Sequence, residues 1–326
     1  MTLSYEVLVP AYQAEDSIAA AVASALAQEP APLRVLVHSD GSTDATVERA
    51  RAAGAEVVDA AENRGVGAAR QALLERARAP WVLVLDSDDR LLPGAAGLFA
   101  GAVAAQPDAW VLGFGEVPDT SAAPDAPRLD PARPVDLRGL WQRNPFVSSS
   151  TLVRREPAVR VGGFPAVRRL VDYAFWLVLA GEPEAGGRLW NRTVPVTARA
   201  VHGGTITGNV VAAVQAERDL LVAHADAALA GLPGPVRTAA TRVRLAVLWW
   251  RGLSRHRDYG RPSSSYLPAG DVVPGVVLPG LLGLLALPSV QRTVRAAARG
   301  ARGALHRAAA AGRPPVARPA VAASEG

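Results

Sequence analysis

Residues Trp81 to Pro93 read WVLVLDSDDRLLP. Trp81 to Leu85 have the length and β-branched content of a strand buried on both faces, and three carboxylates, Asp86, Asp88 and Asp89, follow at its carboxyl end. A buried strand thus delivers acids to a sheet edge. Ligands of open α/β sheets collect where strands end, and clustered carboxylates repel one another unless a cation or a donor network compensates, so the stretch predicts a metal. Asp86 and Asp88, two apart on an extended backbone, point the same way, while Asp89 points elsewhere and suits orienting the loop or capping the helix after Pro93. The plainer alternative is that acids commonly end strands and begin turns.

Upstream, Tyr5 to Pro10 (YEVLVP) reads as a first strand, and Ile18, Val22 and Leu26 recur at helical spacing. Leu33 to Ser39 is a second strand, followed by Asp40-Gly41-Ser42-Thr43-Asp44, in which Gly41 permits a tight turn and Ser42 or Thr43 caps a helix. Ala55 to Asp59 is a third strand, and Asn63-Arg64-Gly65-Val66-Gly67 turns into a helix from about Ala68 to Ala77. The order β-α-β-α-β-α-β predicts an α/β fold: a mostly parallel sheet with helices on both faces. The strand ends near Tyr12, Asp40 and Asp86 then share one edge. The glycines at 65 and 67 make a poor dinucleotide fingerprint, lacking the third glycine and following the wrong strand.

Downstream, Trp110 to Phe114 is a fifth strand, residues 116 to 136 a surface excursion, and Phe146 to Arg155 another strand ahead of the turn Gly162-Gly163-Phe164. Leu170 to Leu179 is a helix whose first turn holds Asp172 among apolar residues. The residues themselves leave open a dipole-stabilised acid or a catalytic one. Asn209 to Leu229 and Val236 to Trp250 read as helices of a C-terminal extension, with Trp249-Trp250 an interfacial anchor or core.

The 326 residues, 49% hydrophobic and 20% charged, suffice for a packed core and argue against general disorder. There is no cysteine and no lysine, which excludes disulfides, thiol nucleophiles, cysteine zinc sites, Schiff bases and P-loop lysines. Charge is split: from Leu232 onward 14 arginines face three acids, a net +11, while the first 231 residues carry a net −6. Phosphate-backbone binding needs a positive surface, so no nucleic-acid partner is expected for the front domain, and the basic tail suits an anionic membrane better. The start carries neither a basic n-region nor a long apolar h-region, so a cytoplasmic protein is expected.

Four ordered segments, VLVPAYQAEDSI, VLVHSDGSTDAT, ENRGVGAARQALLERA and WVLVLDSDDRLLP, together resemble the family 2 glycosyltransferases over about residues 5 to 205. The resemblance implies the GT-A fold and inverting, metal-dependent sugar transfer from a nucleoside diphosphate sugar to an acceptor hydroxyl. By the same resemblance Pro10, Ala11, Tyr12 and Glu15 line the base pocket and Asp40 contacts the base. Arg70 falls in the segment that follows the nucleotide. Asp86 and Asp88, with Ser87 between them, occupy the DXD positions that touch ribose and metal, Mn2+ or Mg2+. Asp172 matches the catalytic base, Tyr173 and Trp176 the aromatics after it, and His202 a metal or pyrophosphate ligand. Ser39, Gln71, Val171, Ala174 and Val178 depart from the pattern, Val171 replacing a glutamate. A non-catalytic nucleotide-sugar binder and, less well, a nucleotidyltransferase are the other readings, the latter lacking a glycine-rich basic loop after the first strand.

The expected organisation is a transferase domain over 1–208, a helical extension over 209–267, a membrane-associated segment over 268–311 and a disordered tail over 312–326. Val272 to Gln291 is 20 residues without a charge, but its prolines and glycines favour a membrane-surface or packed segment over a span. Arg292, Arg295, Arg299 and Arg302 follow at helical spacing, so peripheral contact through 272–307 at the inner face of the membrane is expected. The acceptor expected from the resemblance is a glycan, a glycolipid or a metabolite.

Overall fold

The computed structural model describes residues 3–120, 128–200 and 210–258. Strands β1 (Tyr5–Ala11), β2 (Val35–Asp40), β3 (Glu56–Ala60) and β4 (Trp81–Val84) alternate with helices α1 (Ile18–Leu26), α2 (Thr46–Ala52) and α3 (Val66–Arg76). They pair in parallel in the order β3-β2-β1-β4. Every residue of β1, β2 and β4 is buried, which is why these strands read as unbroken apolar runs. On one face Tyr5, Val7 and Val9 meet Ile18 and Val22 of α1, and α3 packs against β1 and β2.

Past β4 come β5 (Arg90–Leu91), α4 (Ala95–Ala105), β6 (Val111–Pro118), β7 (Arg133–Pro134), α5 (Leu137–Gln142), β8 (Thr151–Arg154), α6 (Arg155–Arg160), α7 (Val171–Gly181) and β9 (Leu189–Arg199). Here the sheet becomes mixed. β8 runs antiparallel between β4 and β6, β9 is parallel to β6, and β5 and β7 are antiparallel to β9. The strand expected over Phe146 to Arg155 is shorter, because Ser148–Ser150 form a 3₁₀ turn before β8. Phe99 of α4 lies edge-on to Tyr5 and to Phe114 of β6, at 6.3 and 5.1 Å between ring centres, joining the two halves of the sheet in one core.

α7 is buried along most of its length. Its Tyr173 hydroxyl donates to Leu140 O of α5 at 3.0 Å, and Trp176 packs 5.8 Å from the Phe146 ring. Helices α8 (Val210–Ala223), α9 (Ala225–Ala228) and α10 (Gly234–Asp258) follow. Trp141 Nε1 of α5 donates to Leu221 O of α8 at 2.7 Å. Residues 1–241 form one compact unit and the chain from Arg242 belongs to a second. Trp249 is buried. Among the described residues no helix is long and apolar enough to cross a membrane. The expectations for 272–291, for the arginines 292 to 302 and for the tail 312–326 lie outside the described residues.

Candidate active site

The loop after β1 is sewn to the loop after β2 by side chains accepting backbone hydrogen bonds. Thr46 Oγ1 accepts from Ala14 N at 2.7 Å, Asp44 Oδ2 from Glu15 N at 3.2 Å, Ser42 Oγ from Gln13 N at 3.1 Å, and Glu15 Oε2 from Ala45 N at 3.2 Å. Asp40, 3% exposed at the end of β2, takes Arg64 N on one carboxylate oxygen at 2.9 Å and Gly65 N on the other at 2.7 Å. That carboxylate therefore fixes the turn entering α3. Gly41 permits the approach: its φ is +72°, and a Cβ there would lie 2.6 Å from Asn63 N. Pro10 and Ala11 are buried at the end of β1, whereas Tyr12 is 54% exposed, the one aromatic among the large exposed apolar side chains of the described residues.

Arg70 lies on the inward face of α3, in line with Ala69, Leu73 and Leu74, and is only 6% exposed. Its Nη2 meets Asp86 Oδ1 at 2.7 Å, while its Nε is buried without a partner among the described residues. The guanidinium also acts on Asp172 across the site. Ser149 Oγ accepts from Asp86 N at 3.1 Å, so the 3₁₀ turn braces the first acid from below. Asp86 and Ser87 are half-buried and Asp88 is exposed. Asp89 is buried. Its Oδ1 accepts from Ala200 N at 3.0 Å and its carboxylate takes a Ser149 hydrogen bond, while burial pushes its pKa up to about 6. It thus orients the loop by tying it to the end of β9 and does not cap α4, whose N-cap is Gly94.

Asp172 occupies the first turn of α7, and burial raises its pKa, a shift that Arg70 opposes and Asp86 reinforces. Two contacts hold the segment leading into this turn against α3. Gln71 Oε1 accepts from Phe164 N at 2.8 Å, and Val171 packs so close to Gly67 that an added Cβ would sit 3.4 Å from its methyl group. Where the family resemblance sets a glutamate, Val171 accordingly supplies a packing contact. Leu170, just before it, has φ +54°, and Gln13, next to Tyr12, has φ +49°. These are the only non-glycine residues with positive φ among those described; Gln13 adjoins Tyr12, and Leu170 lies two residues before Asp172.

Asp40, Arg70, Asp86 and Asp88 therefore lie on the loops and helix around one sheet edge, and Asp172 joins them through Arg70; His202 lies outside the described residues. The described residues contain no group of three or more acidic or histidine side chains suited to a metal. Two carboxylates nevertheless fit a hard divalent ion that shares its shell with diphosphate oxygens and water, since such ions commonly take only one or two protein carboxylates. Unanticipated from sequence are the Arg70–Asp86 pair, Ser149 and the Gln71 tether. An arginine in the apolar stripe of α3 and three consecutive serines at a strand start were the available signals.

A parallel half that holds nucleotide-type loops, closed by a mixed half with acids at the joint, defines a GT-A glycosyltransferase fold. A family model described as glycosyl transferase family 2 matches residues 6–173, and the chain belongs to that family. It is similar to the succinoglycan biosynthesis proteins ExoU and ExoO of Rhizobium meliloti (strain 1021). Identity is 45% over 96 residues for ExoU, covering 28% of each chain, and 42% over 89 residues for ExoO, covering 26% of each. The match thus spans little more than a quarter of these relatives. In fold it resembles S. aureus TarS 1–349 in complex with UDP-GlcNAc, with TM-score 0.59, 20% identity, and 91% and 88% of the two chains covered. It also resembles the mannosyltransferase PcManGT from Pyrobaculum calidifontis in complex with GDP-Man and Mn2+, with TM-score 0.55, 20% identity, and 92% and 84% covered.

Proposed function

We propose that the protein is an inverting glycosyltransferase that moves a sugar from a nucleoside diphosphate sugar to an acceptor hydroxyl with help from Mn2+ or Mg2+. The observation that carries this reading is Arg70, a buried guanidinium paired with Asp86 on one side and acting on Asp172 on the other. It links the acid expected at the donor to the acid expected at the acceptor. Exposed Tyr12 offers a face for the base, beside loops already fixed by Asp40, Asp44 and Glu15. Asp88, with Asp86, would hold the divalent ion, which supplies positive charge against the negative charge that develops on the departing diphosphate.

Asp172 accepts the proton of the acceptor hydroxyl as that oxygen bonds to the anomeric carbon and the bond from this carbon to the diphosphate breaks. Attack opposite the leaving group inverts the configuration. Burial favours the neutral carboxyl and so makes the ionised form a stronger base, while Arg70 limits the shift. The transferase unit is assigned to residues 1–208, with 209–267 as its helical extension. The description of the two relatives as succinoglycan biosynthesis proteins favours a polysaccharide or its lipid-linked precursor over a small metabolite. Work at the inner face of the membrane, with contact through 272–307, suits the basic tail.

The test is release of nucleoside diphosphate from a panel of nucleotide sugars with Mn2+. Release that needs both metal and Asp172 supports the reading. Metal-independent binding of donor without release overturns it in favour of a non-catalytic binder.

A further inference from the structure

Asp86-Ser87-Asp88-Asp89 is a tight turn closed by Asp89 N, which donates to Asp86 O at 3.0 Å and leaves Ser87 and Asp88 at the tip. The turn joins the two halves of the sheet. Before it Leu85 N donates to Leu8 O of β1 at 2.9 Å, and after it Arg90 and Leu91 pair with β9. One side chain grips both ends of this turn. Ser149, fully buried in the 3₁₀ turn ahead of β8, accepts from Asp86 N at 3.1 Å; its oxygen being the acceptor there, its single proton is left to be donated to the Asp89 carboxylate. Ser149 is itself fixed. Its carbonyl oxygen accepts from Thr197 Oγ1 of β9 at 2.5 Å, and the next two residues are bound to Val147 O, Ser150 through its N at 3.1 Å and Thr151 through its Oγ1 at 2.7 Å.

We propose that Ser149 is a positioning residue for the divalent ion: by holding the first and last residues of the turn, it sets the spacing at which Asp86 and Asp88 present their carboxylates. This inference rests on the metal-assisted transfer reading and deepens it by naming a residue that acts through the two acids. A site with only two protein carboxylates leaves the rest of the ion's shell to phosphate and water, so its affinity depends on how those two groups are spaced. A hydroxyl suits the position because it accepts from one end of the turn and donates to the other at once. Alanine there would take a partner from Asp86 N and another from Asp89 at a buried place. The turn would keep its own closing bond and the tie from Asp89 to Ala200 N, but its first residue would lose this fastening.

The experiment uses the full chain with UDP, GDP, ADP or dTDP, whichever the wild type binds most tightly. Nucleotide binding is followed by calorimetry over a series of Mn2+ concentrations, and release from the matching nucleotide sugars over the same series. Ser149→Ala should need about tenfold more Mn2+ for half-maximal binding and half-maximal release, the lower figure for disturbing a group behind the metal ligands, with the rate at saturating Mn2+ unchanged. Ser149→Cys keeps the side chain's shape but hydrogen-bonds weakly, so it should show the same shift, and it decides the matter if the alanine variant does not fold. Thr197→Val removes the buried hydrogen bond on the other side of Ser149. It should lower the melting temperature as Ser149→Ala does, yet keep the wild-type Mn2+ requirement. An Mn2+ requirement unmoved in the Ser149 variants, or moved equally in Thr197→Val, overturns the inference while the transferase reading stands. A wild type that binds none of the four nucleotides and releases none from any donor removes that reading itself.

Discussion

The loops after β1 and β2 and the first turn of α7 face the same edge of the sheet, yet they are built by opposite means. In the loops, nearly every polar side chain is engaged in holding backbone: Asp40 grips the turn into α3, and Glu15, Asp44 and Thr46 bind loop to loop. Around α7 the framework is apolar, with Val171, Phe175 and Trp176 buried and Asp172 set among them. A seat made of paired polar groups is rigid before its ligand arrives. One made of packed apolar helix instead shifts the acidity of whatever carboxylate it contains. The loop side is thus organised to hold geometry, the α7 side to shift the acidity of its carboxylate.

That contrast is open to test at several points. Asp172→Asn should lower turnover by about 10²- to 10⁴-fold while leaving nucleotide affinity intact by calorimetry; an equal loss in both would erase the division. In the wild type, the raised pKa of Asp172 keeps the carboxyl protonated to higher pH than an ordinary aspartate. The acid limb of the pH–rate profile should therefore lie above about pH 4, activity falling as pH drops through it. Asp88→Ala should weaken Mn2+-dependent nucleotide binding by at least about 10-fold, the lower figure for disturbing a metal site. Gly41→Ala places a methyl group against the Glu62–Asn63 backbone at positive φ and should cost about 1–3 kcal/mol of stability. Gln71→Ala leaves Phe164 N without its acceptor and should lower stability by about 1 kcal/mol, with a larger effect on acceptor turnover than on donor affinity.

The parallel half was legible because its strands are buried on both faces, so each is a continuous apolar run followed by a polar loop. In the mixed half the sequence shows β6 and β8 but not β5, β7 and β9. β9, LWNRTVPVTAR, carries Asn191, Arg192 and Pro195 and does not read as a strand inside a sheet. It pairs there because the register slips around Gly115, whose missing side chain lets the Thr193 carbonyl approach. The candidate acids were legible as a strand-end cluster, but their partners were not. Arg70 is 16 residues from Asp86, and only the turn of a helix brings the two together.

The fastening of the acid loop sets an order on its assembly. Asp86 N is held by Ser149, 63 positions later, and Asp89 holds Ala200 N, 111 positions later. A nascent chain that has left the ribosome only through β5 already contains all three acids and neither of these fastenings. Competence is conferred from downstream, and the growing chain stays inert until β8 and β9 have been threaded in beside it.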